Sequence, residues 1–203
     1  MPPVHRKSAM RVRDGRVQKK NNWTPDPGDY YARAQSEIRI ERVDPGPGYR
    51  HVVTVRQLRE FIELLPDWDE LAIGLEAISI WRGNSEWLGL SNPGVVVITA
   101  WPQDLWKVTH RRWLAEVADL LTALGVELAD APSGDPDFAE VRWTEPQARA
   151  FMLLDVLVHE LGHHHDRMTT SGASAPRGEP YAMAYARRVQ DEILPEYLAR
   201  FAI

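Results

Sequence analysis

The chain has 203 residues, of which 44% are hydrophobic and 26% are charged, with 15 Pro and no Cys. This composition indicates a globular protein with one core, and it excludes cysteine-ligated zinc, iron–sulfur clusters and thiol nucleophiles. The sequence shows neither an unbroken run of about 20 apolar residues nor the apolar segment of a secretory signal. It therefore predicts a cytoplasmic protein without a membrane partner and leaves its oligomeric state open.

The net charge of −5 is unevenly distributed. Residues 1–22 contain seven Lys and Arg against one Asp, so the rest of the chain is strongly acidic. Such a basic segment could touch nucleic acid or could be a solvated leader. The leader is favoured because the segment has almost no large apolar residue and no aromatic residues among its charges. We predict a disordered basic tail over residues 1–29, no nucleic-acid partner, and a single domain over residues 30–203.

The first part of the domain predicts mainly strands. Alternating or apolar runs bounded by turn residues predict strands over residues 37–41, 51–55, 77–81, 87–90 and 95–101. Apolar residues at helical spacing predict a helix over residues 58–65, which Pro66 ends. Because short, turn-rich segments connect the last three strands, we expect them to form an antiparallel meander.

The second part predicts mainly helices. Asp104 can cap a helix that runs to Gly125, and a short strand is expected around residues 141–143. From Thr144 onward the pattern is helical, apart from a loop over residues 169–178 rich in small residues. Strands followed by helices are typical of an α+β protein, here with a largely antiparallel, twisted N-terminal sheet and a C-terminal pair of helices.

Residues 159–163 read His159-Glu160-Leu161-Gly162-His163, which matches the His-Glu-x-x-His pattern of zinc hydrolases. Residues i and i+4 project from one face of a helix, so both imidazoles can reach a single ion. The intervening Glu160 then lies beside the metal, where it can act as general base. The surrounding sequence is helical, since Thr144 can serve as N-cap and no Pro follows Pro146 before His165.

A catalytic zinc site needs a third protein ligand. The available candidates are Glu179, Asp166, His164, His165, His51 and His110. Glu179 is favoured because it begins a second helix that the small-residue loop can return antiparallel to the first. Ala182 and Ala186 share its face and would let the two helices approach closely.

The motif, followed by Glu179-x-x-Ala182-x-x-Tyr185-Ala186, resembles gluzincin-type zinc metallopeptidases, most nearly the compact ImmA/IrrE-like group. The resemblance covers about residues 145–190. It implies a zincin-like fold whose C-terminal helix pair carries one Zn²⁺ per chain, bound by His159, His163 and Glu179, with Glu160 as general base. It further implies a peptide or protein substrate that pairs with an edge strand, either Val95 to Ala100 or a neighbouring strand.

The sequence also departs from that family. Position 183 is Met where the family often has Asp or Asn, so another group must orient a ligand imidazole, and Asp155 is the candidate. Successive helical residues diverge by about 100°, so His165 is expected off the metal face. His165 or Tyr181 could contact substrate or stabilise an oxyanion. The alternative to a peptidase is a zincin-like binding or regulatory domain without catalytic activity.

Overall fold

A computed structural model describes residues 11–13, 16–18, 38–170 and 176–201. Its strands are β1 Arg11–Arg13, β2 Arg16–Gln18, β3 Arg39–Arg42, β4 Tyr49–Arg50, β5 Ala77–Trp81, β6 Gly89–Asn92, β7 Val95–Thr99, β8 Trp101–Pro102, β9 Trp106–His110, β10 Glu127–Asp130 and β11 Phe138–Arg142. Its helices are α1 Val55–Ile62, α2 Trp68–Leu71, α3 Arg111–Glu116, α4 Ala118–Ala123, α5 Glu145–Phe151, α6 Val158–Thr169 and α7 Glu179–Phe201, with a π-helical segment, Met152–Leu157, between α5 and α6. Mixed sheets and helices confirm the α+β class.

The central sheet has the order β3-β5-β7-β6 and positions the rest of the molecule. β3 pairs parallel with β5, and β5 pairs parallel with β7, whereas β6 pairs antiparallel with β7 at the edge. The meander expected over residues 77–101 is therefore wrong, because β7 inserts between β5 and β6. The expectation of a largely antiparallel sheet is wrong for this sheet too, since two of its three pairings are parallel. The burial of all five β7 residues explains this order, since a strand covered on both faces suits the middle of a sheet.

The same order decides which strand is at the edge. The resemblance implied that Val95 to Ala100 or a neighbouring strand is the edge strand. Val95–Thr99 is β7, which lies in the interior of the sheet. The neighbour β6 is the edge strand on that side, and α6 packs against both β6 and β7. β6 is thus the sheet edge closest to the helix that carries the motif.

Two local predictions are corrected by the structure. The strand expected over residues 51–55 is wrong: residues 51–54 connect β4 to α1, and α1 begins at Val55 because Thr54 is its N-cap. The Gln57 N–H donates to Thr54 Oγ1 (3.2 Å) and the Thr54 N–H donates to Gln57 Oε1 (3.0 Å). The helix expected from Asp104 begins only at Arg111, after β9.

β9 forms because its partners are distant in sequence. It pairs antiparallel with β11, which in turn pairs with β10, in a three-stranded sheet. β11 is longer than the strand expected near residue 141, and β10 was not predicted. Non-local pairing therefore overrides the helical spacing of apolar residues that begins at Leu105.

The motif helix is built as predicted at its start and contains an unpredicted segment. Thr144 caps α5 through a reciprocal pair of hydrogen bonds with Gln147, and Pro146 lies in the first turn. The six residues after α5, Met152–Leu157, are π-helical, and five of them are buried. π-helical turns occur mostly as short insertions in α-helices and are frequent at functional sites.

The predictions for the N-terminus fall largely outside the described residues. Within the expected tail of residues 1–29, β1 and β2 pair as an antiparallel hairpin. Residues 1–10, 14–15 and 19–37 are not described, so the expected disorder and the start of the domain at residue 30 stay predictions. None of the helices in the described ranges is long and apolar enough to cross a membrane.

Candidate metal centre

His159, His163 and Glu179 come together between α6 and α7. The two imidazole Nε2 atoms lie 3.1 Å apart. Glu179 approaches both rings, with Oε2 at 3.2 Å from His159 Nε2 and Oε1 at 3.1 Å from His163 Nε2. Among the described residues, these three form the one group of His, Cys, Asp and Glu side chains arranged to hold a metal ion.

The chemistry and spacing of these donors fit a zinc ion. Atoms that bind tetrahedral zinc at 2.0–2.1 Å lie about 3.3 Å from one another, and two imidazoles with one carboxylate are a known catalytic donor set. Burial, and then the neighbouring His163, lower the pKa of His159, although Glu179 opposes the change. His159 is therefore neutral near pH 7, as a metal ligand must be.

Close packing of the two helices brings Glu179 to the histidines. A Cβ added to Gly162 would lie 3.0 Å from the Ala182 Cα, so a larger residue there would push the helices apart. Ala182 and Ala186 are both buried in this contact. The small residues predicted at the interface are thus the ones that allow the approach.

The other candidates for the third ligand are engaged elsewhere. His164 is buried with Nε2 3.0 Å from the Ile73 carbonyl oxygen, and His51 Nε2 is 2.7 Å from the Val43 carbonyl oxygen. His110 caps α3, with Nδ1 accepting from the Arg112 N–H at 3.0 Å. Asp166 is enclosed by hydrogen bonds from the segment before α7.

Glu160 lies beside the three candidate ligands and against the edge strand β6. A Cβ added to Gly89 would come within 2.6 Å of Glu160 Oε1, so only glycine leaves room for this carboxylate. Burial raises the pKa of Glu160 to about 8, the charge of Glu179 contributes to the increase, and Arg167 opposes it. A carboxyl group with this pKa can both accept and donate a proton near neutral pH.

A cleft of about 620 Å³ opens next to the centre. The residues that line it from the helices include Asp155, His159, Glu160 and Glu179. Gly89 from the central sheet and Lys107 from the three-stranded sheet line it as well. The cleft therefore gives a ligand access to His159 and to both glutamates.

The predicted supporting residues have other partners. The Asp155 carboxylate accepts a hydrogen bond from Gln190 Nε2 at 3.1 Å. Within the part of the chain that the structure describes, no hydrogen bond connects Asp155 with His159. His165 Nδ1 lies 2.8 Å from the Tyr181 hydroxyl, and neither residue lines the cleft. Asp155 therefore does not orient an imidazole in this structure, and the substrate or oxyanion contacts expected of His165 and Tyr181 stay predictions.

Several residues that line or support the site were not predicted from the sequence. Gly89 begins a strand 70 residues before the motif, and Lys107 comes from β9, which was predicted as helix. Gln190 also donates to the Leu154 carbonyl oxygen (3.1 Å) within the π-helical segment. A glycine at the start of a strand could have indicated a close approach, but nothing in the sequence identifies its partner.

Comparisons with known proteins add no relative. No protein-family model matches the chain, and no curated protein or solved structure is significantly similar to it.

Proposed function

We propose that this protein is a zinc-dependent metallopeptidase with a zincin-like fold, in which His159, His163 and Glu179 bind the metal and Glu160 is the general base. The convergence of three donor side chains, whose N and O atoms lie 3.1–3.2 Å apart, beside the half-buried carboxylate of Glu160 carries the proposal. A structural zinc site has no use for that carboxylate, whereas hydrolysis needs a base next to the metal.

A bound zinc ion would supply Lewis acidity towards a water molecule and a substrate carbonyl. Glu160 accepts the proton that the attacking water loses as its oxygen bonds to the carbonyl carbon. When the carbon–nitrogen bond breaks, Glu160 returns that proton to the leaving amine. A divalent cation nearby would lower the pKa of Glu160 from about 8, which favours the carboxylate needed for the first transfer.

The edge strand β6 supports an extended peptide as substrate. Among the described strands, β6 pairs only with β7, so its other edge can accept a further strand. Gly89 of β6 lies against Glu160, and residues just before it, Trp87 and Leu88, line the cleft. A peptide added to this edge would run past the base and the candidate ligands.

Glu160→Gln tests the proposal most directly. We expect the variant to retain the metal content of the wild type, because the three donors remain, and to lose about 10²–10⁴-fold in peptide hydrolysis. Metal per chain is measured by elemental mass spectrometry, and hydrolysis with a pool of fluorescence-quenched peptides. Glu127→Gln on the exposed strand β10 is the control for an amide substitution.

The outcomes separate the candidate functions. Zinc in the wild type that is lost in Glu179→Ala, without hydrolysis of any peptide, would favour a binding domain without catalytic activity. Hydrolysis that persists in Glu160→Gln would contradict the assigned base. Absence of zinc from the wild type after its addition would overturn the metal site.

A further inference from the structure

Asp166, one of the candidates for the third ligand, has a buried carboxylate that forms hydrogen bonds within the protein. Its side chain is only 1% exposed, and its carboxylate accepts three hydrogen bonds. Oδ1 accepts from Arg177 Nε at 2.7 Å and from Thr170 Oγ1 at 3.1 Å, and Oδ2 accepts from the Gly178 N–H at 2.8 Å. All three donors belong to the chain between the end of α6 and the start of α7.

The last of these donors precedes Glu179 directly. Gly178 has a left-handed backbone (φ 73°), and its carbonyl oxygen accepts from the N–H groups of Tyr181 and Ala182, both at 3.1 Å. Gly178 therefore lies directly before α7 and accepts the first hydrogen bonds of that helix, while its own N–H group is bound by Asp166. The Arg177 guanidinium also lies 3.6 Å above the Tyr181 ring, which ties the same segment to the first turn of α7.

Glu179 needs this support because its own side chain is 70% exposed. An exposed glutamate has several rotamers, so its reach to the histidines depends on where the backbone of the first turn is held. Asp166 lies on α6 one turn after His163, on the helix that supplies both candidate imidazole ligands. One buried carboxylate thus links the helix of the two histidines to the start of the helix of the glutamate.

We propose that Asp166 is a positioning residue that sets the place of Glu179 in the metal site. This inference rests on the proposed function, since it needs Glu179 to be a ligand. Asp166 would not touch the metal or the substrate. It would raise metal affinity by holding the third donor where the two imidazoles already point.

Asp166→Asn tests the inference with little change in volume. The amide nitrogen of the new side chain would face Arg177 or Gly178, which are both donors, so at least one hydrogen bond is lost. We expect the affinity for Zn²⁺, measured by chelator competition, to fall about 10–100-fold, as for other residues that orient metal ligands. We also expect faster hydrogen exchange at the amides of Gly178, Glu179, Tyr181 and Ala182 before any metal is added.

Two controls separate positioning from general destabilisation. Glu145→Gln disrupts another carboxylate that binds arginine side chains, at the start of α5, and should leave metal affinity unchanged. In a Glu179→Ala background, Asp166→Asn should have no further effect on affinity, because the group that it positions is gone. Where that background binds too weakly to titrate, the visible spectrum at saturating Co²⁺ decides, and Asp166→Asn should shift it towards the Glu179→Ala spectrum.

Each outcome bears on one proposal. Wild-type affinity in Asp166→Asn, or an equal loss in the presence and absence of Glu179, would overturn the positioning role. A wild-type protein that binds no Zn²⁺ would overturn the proposed function instead. If Asp166→Asn does not fold, Arg177→Gln takes its place, because that side chain is 49% exposed and its loss removes one of the three hydrogen bonds. The same pattern, with a smaller loss of affinity, is expected.

Discussion

Asp155 and Asp166 lie along one continuous helical stretch, yet their carboxyl groups have different surroundings. Burial alone would raise the pKa of Asp166, but the hydrogen bonds from Arg177, Gly178 and Thr170 lower it below its usual value. Burial raises the pKa of Asp155 from about 3.8 to about 6, and the hydrogen bond from Gln190 and the charge of Arg187 only partly oppose it. The charge of Asp166 is thus compensated, and the charge of Asp155 is an energetic cost above about pH 6.

Asp155→Asn should remove that cost. A carboxyl group whose pKa is higher in the folded chain stabilises the fold at pH values below its unfolded pKa, and this contribution disappears as pH rises through the folded value. Relative to the wild type, the variant should gain about 2–3 kcal/mol in the free energy of unfolding at pH 8, and the difference should vanish below about pH 4. Urea unfolding across this pH range measures it.

The amide introduced by Asp155→Asn can still accept the hydrogen bond from Gln190, so the substitution changes charge more than packing. Asp191→Asn, on the exposed face of α7, is the matched control and should be within about 0.5 kcal/mol of the wild type at every pH. A constant difference between Asp155→Asn and the wild type from pH 4 to pH 8 would contradict the prediction.

At the scale of single residues, the sequence predicted the candidate metal ligands and the adjacent glutamate, but it did not predict the hydrogen-bond partners of the acidic residues around them. His159, Glu160 and His163 follow from the spacing within one helix, and Glu179 from a second helix start after a short loop. The partner of Asp166 could not be predicted in the same way, because Arg177 lies 11 residues further along the chain, outside both α6 and α7. Asp155 was expected to orient an imidazole, but a side chain from α7 binds it instead.

At the scale of elements, the contact between α6 and α7 depends on Gly162. Gly162→Val would place extra carbon atoms where the Ala182 backbone already lies 3.0 Å from a Cβ position. We expect a loss of about 1–3 kcal/mol in the free energy of unfolding, as in other overpacked contacts. We also expect weaker Zn²⁺ binding, because the displaced α7 carries Glu179 away from the histidines.

Chemical denaturation and chelator competition measure these two effects. Met168→Val places the same residue on α6 at a position that is 41% exposed, so it controls for the low helix propensity of Val. Unchanged metal affinity in a destabilised Gly162→Val variant would show that helix spacing does not set the position of Glu179.

The elements that sequence predicted well are the ones with local causes. The start of α5 follows from the Thr144 cap, and α7 begins at Glu179 directly after a glycine with positive φ. The failures have non-local causes. Residues 106–110 alternate in exposure as a strand does, whereas the spacing of apolar residues from Leu105 onward predicts a helix. The strand forms by pairing with β11, which lies some 30 residues further on and cannot be identified from local sequence. The parallel pairing of β5 with β7 was likewise not predicted, because a short connection between consecutive strands favours an antiparallel hairpin.

At the scale of the whole molecule, metal binding and folding should be linked. The candidate ligands come from two helices, so the complete site exists only when α6 and α7 are packed together. A ligand that binds only the folded chain at 100 times its dissociation constant stabilises that chain by about 2.7 kcal/mol. For a chain of this length, Zn²⁺ should therefore raise the melting temperature by about 5–10 °C, and a chelator should reverse the increase.

The same linkage gives the increase a pH dependence with a definite sign. The imidazoles must be neutral to bind, so protons compete with the metal, and the increase in melting temperature should be smaller at pH 5.5 than at pH 7.5. Because burial lowers the pKa of His159, most of the loss should occur below about pH 6.5. Scanning calorimetry with and without Zn²⁺ measures both values, and His163→Ala should abolish most of the increase at either pH. An equal increase in His163→Ala would show that Zn²⁺ stabilises the fold from another site.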